Sequence, residues 1–154
     1  MKILFVEDIP DLLNALLDII VREHPDWELY FATDIPTAWR QFCRQEFDRI
    51  VLDVMLPAWP GVPQRSEGLY LAKWLLDSGE NDIGSAPEGK PTKGNRECPI
   101  VVLTSRNESG VKGEANKLSL GDRIVFLDRL KSDALAQCRT IKEGKDISEG
   151  ATHG

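Results

Sequence analysis

Several features that would assign a chain to a class of proteins are scarce in this sequence. Its 154 residues include only three cysteines, Cys43, Cys98 and Cys138, and no two of them form a C-x-x-C pair. Their odd number and wide spacing argue against a disulfide framework and against a structural zinc site. The two histidines lie in a predicted turn and near the C-terminal end, so neither is a candidate catalytic residue.

Long apolar runs and an excess of positive charge are also lacking. No apolar stretch approaches the roughly 18 residues that a membrane-spanning helix needs. The opening Met1-Lys2, followed at once by a short strand and acids, does not resemble a signal peptide. The net charge is −6, which provides no basic footprint for nucleic acid. We therefore expect a cytoplasmic protein that binds neither membranes nor nucleic acid.

The length and composition favour one globular domain. Hydrophobic residues make up 42% and charged residues 29% of the chain, which are globular values. A chain of this length can form one full core but not two ordinary ones. We expect the domain to span residues 1–141, with a polar loop insertion at 80–98 and a flexible tail at 142–154.

Four short apolar runs each end at polar side chains. The runs at 3–6, 50–52, 100–103 and 124–127 are followed by Glu7-Asp8, Asp53, Thr104-Ser105 and Asp128-Arg129. Short β-branched runs of this kind are typical of parallel strands buried on both faces. Because ligands bind outside the carboxyl ends of such strands, we expect one small site with three carboxylates, two hydroxyls and a guanidinium.

Helical spacing of apolar residues separates these strands, and residues 27–31 read as one more strand. Four helices have start signals: Asp8 with Pro10, Asp34 with Pro36, Ser66 with Glu67, and Ser132-Asp133. The resulting order, β-α repeated five times, predicts an α/β fold. Its core would be a doubly wound, five-stranded parallel sheet covered by helices on both faces in three layers.

These motifs, in this order, resemble the receiver domains of bacterial two-component response regulators, the CheY-like family. The matching residues are Glu7-Asp8, the sequence VLDVMLP at 51–57, Thr104-Ser105 and Phe126 in the last strand. The resemblance runs from Met1 to about Ile141. It implies a flavodoxin-like fold with strand order 2-1-3-4-5.

The resemblance implies a Mg²⁺ site. In that strand order the first and third strands are neighbours, so Glu7 and Asp8 would lie beside Asp53. Three close carboxylates repel one another unless a cation lies among them, and Mg²⁺ is the usual ion where phosphates are handled. The backbone carbonyl of Met55 is implied as a further ligand.

The resemblance also implies that Asp53 accepts a phosphoryl group from a phosphohistidine on a histidine kinase or phosphotransfer protein. Thr104 would then bind a phosphoryl oxygen and leave room for Phe126 to turn inward, which would alter the surface offered to a downstream protein target. The family's usual association surface consists of the fourth predicted helix, the fifth strand and the last helix. The resemblance therefore keeps a homodimer as one alternative.

One position departs from the family pattern. Receivers usually have lysine followed by proline after the fifth strand, whereas this chain has Arg129 and Leu130. Arginine keeps the charge but is not equivalent to an ammonium, and without proline a cis peptide bond is not expected. Lys131 could supply the missing ammonium only if the loop were rebuilt.

Two functions therefore stay open: a stand-alone receiver phosphorylated on Asp53, and a degenerate receiver that binds partners without phosphorylation. Simpler interpretations make Glu7-Asp8 and Thr104 helix-capping residues. A phosphatase of the haloacid dehalogenase type would need a second aspartate at position 55, where this chain has Met55. We expect at most self-phosphorylation and autodephosphorylation at Asp53, with no turnover of a separate substrate.

Overall fold

In the computed structural model of the protein, residues 1–56, 67–77, 86–104, 108–120 and 123–146 are described. The elements, in chain order, are β1 (Lys2–Val6), a 3₁₀ helix (Pro10–Leu13), α1 (Asn14–Glu23), β2 (Glu28–Ala32), α2 (Ile35–Arg44), β3 (Arg49–Asp53), α3 (Glu67–Leu76), α4 (Lys93–Glu97), β4 (Ile100–Thr104), α5 (Glu108–Lys117), β5 (Ile124–Asp128) and α6 (Ala134–Glu143). The predictions for Pro57, Ser105 and residues 80–85 and 147–154 lie outside these ranges. None of the described helices is long and apolar enough to cross a bilayer.

The five strands form one parallel sheet in the order β2-β1-β3-β4-β5. This confirms the predicted fold and strand order. Val6 pairs with Leu52, and Thr104 pairs with Asp128. Since all the strands run the same way, the residues that follow β1, β3, β4 and β5 meet at one edge of the sheet.

Side chains that alternate along each strand enter two cores, one on each face of the sheet. Leu4 packs in the larger core with Trp39 of α2, while Phe5 packs in the smaller core with Ile20 of α1 and Ile141 of α6. This two-sided burial explains why the strands are apolar throughout. It also confirms the three-layer arrangement.

Two of the four predicted helix starts are confirmed, and the one at Ser66 lies outside the described residues. The Asp34 carboxylate accepts the Thr37 N–H at 2.9 Å, and the Asp133 carboxylate accepts the Ala136 N–H at 2.8 Å. The prediction for Asp8 is wrong, because Ile9 holds the capping position before the 3₁₀ helix. The Asp8 side chain contributes instead to a cluster of carboxylates at the edge of the sheet.

The prediction of a solvated loop at 80–98 is wrong for residues 93–97, which form α4. Asn95 in this helix is fully buried. Its amide nitrogen donates to the carbonyls of Phe42 at 2.9 Å and Gln45 at 2.7 Å, and its oxygen accepts the Phe47 N–H at 2.8 Å. The last carbonyls of a helix lack partners within it. The Asn95 side chain, together with the Thr92 N–H that donates to the Phe42 carbonyl at 3.0 Å, supplies them and fastens the segment to the domain.

The last helix extends two residues past the predicted boundary at 141. Arg49 on β3 stabilises its end, donating from Nε to the Ile141 carbonyl at 2.8 Å and from Nη2 to the Lys142 carbonyl at 2.9 Å. Gly144 then ends the helix with a φ of 68°, a conformation that favours glycine. The first residues assigned to the tail therefore belong to the folded domain.

Candidate functional site

Three carboxylates meet where β1 and β3 end. The register that pairs Val6 with Leu52 sets the following residues, Glu7 and Asp53, side by side, and Asp8 comes next. One oxygen from each of the three carboxylates lies within 4.8 Å of the other two. The predicted convergence of these acids is therefore confirmed.

Arg129, at the end of β5, faces this cluster. Its Nη2 lies 2.6 Å from Oε2 of Glu7 and 3.7 Å from Oδ2 of Asp53. The side chain of Glu7 is only 3% exposed and that of Arg129 13% exposed, so the ion pair is largely out of water. Charge-assisted hydrogen bonds of this length are among the strong ones in proteins.

The buried position of Glu7 changes its acidity. Burial raises the pKa of Glu7 to about 7; the hydrogen bond from Arg129 opposes this shift, and the charge of Asp53 adds to it. Burial is the largest of these influences and disfavours the charged form of the carboxyl. Such groups are concentrated at functional sites.

Each oxygen of the Asp53 carboxylate faces a different neighbour. Its Oδ1 accepts the Met55 N–H at 3.0 Å, and its Oδ2 is the oxygen nearer to Arg129. Met55 itself is half-buried beside the cluster. The predicted role of its carbonyl as a ligand stays a prediction.

Gly68 is a contributor to the site that the sequence interpretation missed. Its N–H donates to the Val54 carbonyl at 2.9 Å, and a Cβ at this position would lie 2.1 Å from the Asp53 carbonyl oxygen. Only glycine allows α3 to approach the end of β3 so closely. The available signal was a glycine in the first turn of a predicted helix, where it is unfavourable without such a reason.

The turn after β5 explains why Arg129, and not Lys131, reaches the acids. The Arg129 N–H donates to the Thr104 carbonyl at 2.8 Å, which ties the residue to the end of β4. The Asp128 carboxylate accepts the N–H groups of Leu130 at 2.8 Å and Lys131 at 3.2 Å. Asp128 thus forms the tight turn that aspartate favours, and Lys131 lies exposed on it.

Thr104 and Phe126 lie where the sequence predicts them. Thr104 ends β4 and is fully buried. Phe126 pairs with Val102 in the sheet and packs, half-buried, against the larger core. Their movement on phosphorylation stays a prediction.

The side chains at the cluster fit a hard divalent cation. Glu7, Asp8 and Asp53 offer only oxygen ligands, which is the donor set that Mg²⁺ prefers. Three carboxylates carry more negative charge than the single guanidinium of Arg129 can neutralise. A divalent ion held by these three residues would balance the remainder.

No protein-family model matches this sequence, and no curated protein matches it either. Solved structures do match. The receiver domain of a sensor histidine kinase from Pseudomonas aeruginosa is 18% identical, with a TM-score of 0.62, over 92% of this chain and 94% of that one. That structure has a magnesium ion coordinated in its active-site cleft.

Two further matches have the same architecture. The chemotaxis response regulator CheY4 of Vibrio cholerae is 17% identical, with a TM-score of 0.62, over 93% of this chain and 97% of that one. A response regulator receiver protein from Pseudoalteromonas atlantica is 14% identical, with the same TM-score of 0.62, over 98% and 99% of the two chains. At these identities the likeness is one of fold. The chain has the fold of response-regulator receiver domains.

Proposed function

We propose that this protein is a receiver that accepts a phosphoryl group on Asp53 with Mg²⁺ bound and uses the change to switch a protein-interaction surface. The observation that carries the proposal is the meeting of Glu7, Asp8 and Asp53 with Arg129 at the carboxyl edge of the sheet. An acid at the end of β3 could be an ordinary surface residue, whereas this combination of charges suits a phosphoryl group.

Each residue has a definite part in the proposed reaction. The Met55 N–H holds Oδ1 of Asp53, which leaves Oδ2 directed toward Arg129. A bond forms between a carboxylate oxygen of Asp53 and phosphorus as the P–N bond of phosphohistidine breaks, and its electron pair stays on the imidazole nitrogen. Bound Mg²⁺ would neutralise charge on the transferring phosphoryl group.

Arg129 would pair with the phosphoryl oxygens. A guanidinium binds phosphate through two donors at once, and 3.7 Å from Nη2 to Oδ2 of Asp53 leaves little distance to close. Thr104 would offer its hydroxyl from the neighbouring strand β4. Because Thr104 is buried beside β5, its movement would displace Phe126 and change the outer face of that strand.

The proposal also specifies the partners. The phosphodonor is a histidine kinase or a phosphotransfer protein in the cytoplasm, and the reader of the switched surface is a downstream protein. A homodimer through the outer face of β5 and its flanking helices is compatible with the same switch. The chemistry stays confined to phosphorylation and dephosphorylation of Asp53.

Intact mass spectrometry tests the proposal. The protein is incubated with Mg²⁺ and a small acyl phosphate, and we expect a gain of one phosphoryl group. The gain disappears in Asp53→Asn and persists in Asp133→Asn, an acid that caps α6 outside the site. A wild-type protein that gains nothing from either the small donor or a panel of phosphorylated kinases would contradict the proposal.

A second candidate function is a phosphorylation-independent interaction module. The 2.6 Å contact of Arg129 with Glu7 favours it, because an internal cation already pairs with the most buried acid of the cluster. In that case the protein would bind its partners equally well as wild type and as Asp53→Asn. Affinity chromatography with both forms as bait separates the two functions.

A further inference from the structure

The guanidinium of Arg129 lies between two of the three acids that would hold the cation. We propose that Arg129 is a built-in competitor of the divalent ion, so that metal binding must break the ion pair between Glu7 and Arg129. The inference rests on the cation site of the proposed function. It assigns to this chain a property that follows from arginine at a position where lysine is expected.

The distances argue for competition. A Mg²⁺ ion lies about 2.0–2.1 Å from its oxygen ligands. Nη2 of Arg129 already lies 2.6 Å from Oε2 of Glu7 and 3.7 Å from Oδ2 of Asp53. An ion bound to these carboxylates would thus lie within a few ångströms of a positive charge, and the two cations would repel each other in a site largely closed to water.

The Glu7 carboxylate has few other partners that could replace a lost cation. Its Oε1 accepts the Ile9 N–H at 3.3 Å, and its Oε2 is held by Arg129. The side chain is buried, so water does not readily replace a lost partner, and a buried carboxylate without a cation is costly. An ionised Glu7 therefore exchanges one cation for the other.

Arg129 can leave the cluster without disturbing the fold. Its backbone is held by the Thr104 carbonyl and by the turn that Asp128 closes. The side chain belongs to a turn on the protein surface, where the next residue, Leu130, is 78% exposed. Rotation about side-chain bonds alone can carry the guanidinium into solvent. A phosphoryl group on Asp53 would give it a new partner and relieve the competition.

Titration calorimetry with Mg²⁺ alone, on metal-stripped protein at fixed ionic strength, tests this inference. We expect Arg129→Ala to lower the dissociation constant for Mg²⁺ by about tenfold or more, because a positive charge close to the bound ion is removed. Lys131→Ala removes the same charge from the exposed part of the same turn. It should change the constant by no more than about twofold, because exposed charges act weakly.

Arg129→Gln is the second variant, since it keeps a polar side chain of similar reach without the charge. It should tighten Mg²⁺ binding as well, and it decides the question if Arg129→Ala does not fold. Magnesium binding that is unchanged or weaker in the folded variants would overturn the inference, as would a tightening equal to that of Lys131→Ala.

This readout is independent of phosphorylation. If the wild type gains a phosphoryl group on Asp53 while the Arg129 variants bind Mg²⁺ no more tightly, the inference fails and the proposed function stands. If the wild type is never phosphorylated but the Arg129 variants bind Mg²⁺ more tightly, the proposed function is contradicted. The competition between Arg129 and Mg²⁺ is then still supported. Absence of Mg²⁺ binding in every variant would overturn the competition.

Discussion

Glu7 and Arg129 lie 122 positions apart in the chain and form an ion pair largely out of water, with Nη2 2.6 Å from Oε2. The contact joins the end of the first strand to the end of the last, across the neighbouring strands β3 and β4. It draws the guanidinium toward the acid cluster. The pair therefore links that cluster to the turn after β5.

The buried carboxyl of Glu7 should make stability depend on pH in metal-free protein. Its pKa of about 7 in the folded state exceeds the ordinary value of 4.5, so the folded protein binds the proton more tightly than the unfolded chain. The free energy of unfolding should therefore fall as pH rises from 4.5 through 7. Urea unfolding in EDTA at several pH values measures this fall.

The matched variants are Glu7→Gln, which should flatten this part of the profile, and Glu88→Gln, an exposed position that should not. If the profiles of the wild type and Glu7→Gln run parallel between pH 4.5 and 7, the buried carboxyl is not the cause.

A side chain at position 68 should push α3 away from β3, the strand that carries Asp53. In Gly68→Ala the Cβ would lie 2.1 Å from the Asp53 carbonyl oxygen, so α3 must shift away from β3. We expect a loss of about 1–3 kcal/mol in the free energy of unfolding, as for other overpacked sites, and slower phosphorylation of Asp53.

Gly113→Ala is the control for this change. Gly113 lies in α5 with open space where an added methyl group would lie, so alanine should be neutral or stabilise the helix by up to about 1 kcal/mol. Equal effects of the two substitutions in urea unfolding would count against the close approach of α3 to β3.

Asn95 should be a large contributor to stability despite lying in a polar segment. Asn95→Ala leaves the Gln45 carbonyl and the buried Phe47 N–H without this partner, while the Phe42 carbonyl keeps only the Thr92 N–H. We expect a loss of about 2–4 kcal/mol, since each unsatisfied buried group costs about 1–3 kcal/mol. Asn116→Ala, at an exposed position of α5, should change stability by less than about 0.5 kcal/mol. Similar unfolding midpoints for the two variants would refute the role of Asn95.

Asp128 should act on the site through the turn that carries Arg129. Asp128→Ala removes the acceptor for the N–H groups of Leu130 and Lys131. We expect a loss of about 1 kcal/mol in stability and a lower rate of Asp53 phosphorylation. Asp128→Asn keeps a carbonyl oxygen in the same place and should restore most of the rate. A rate in Asp128→Asn as low as in Asp128→Ala would point to the charge of Asp128 instead of the turn.

The features that could be predicted depend on residues close together in the chain. The apolar strands and their parallel direction follow from hydrophobic periodicity, and the caps at Asp34 and Asp133 from hydrogen bonds that span three residues. The order of the strands in the sheet came from the family resemblance. The meeting of Glu7 with Asp53 followed from the same reasoning, because parallel strands end at a common edge.

The tertiary structure alone decided which partner each polar group takes. Asn95 looked like a loop residue because its partners, at the end of α2, are about fifty positions away. Gly68 was missed because the strand it touches is not its neighbour in sequence. Arg129 rather than Lys131 reaches Glu7 because the Asp128 turn sets the direction of each side chain. Local preference determines where elements form, whereas long-range contacts depend on the packed geometry of elements far apart in the chain.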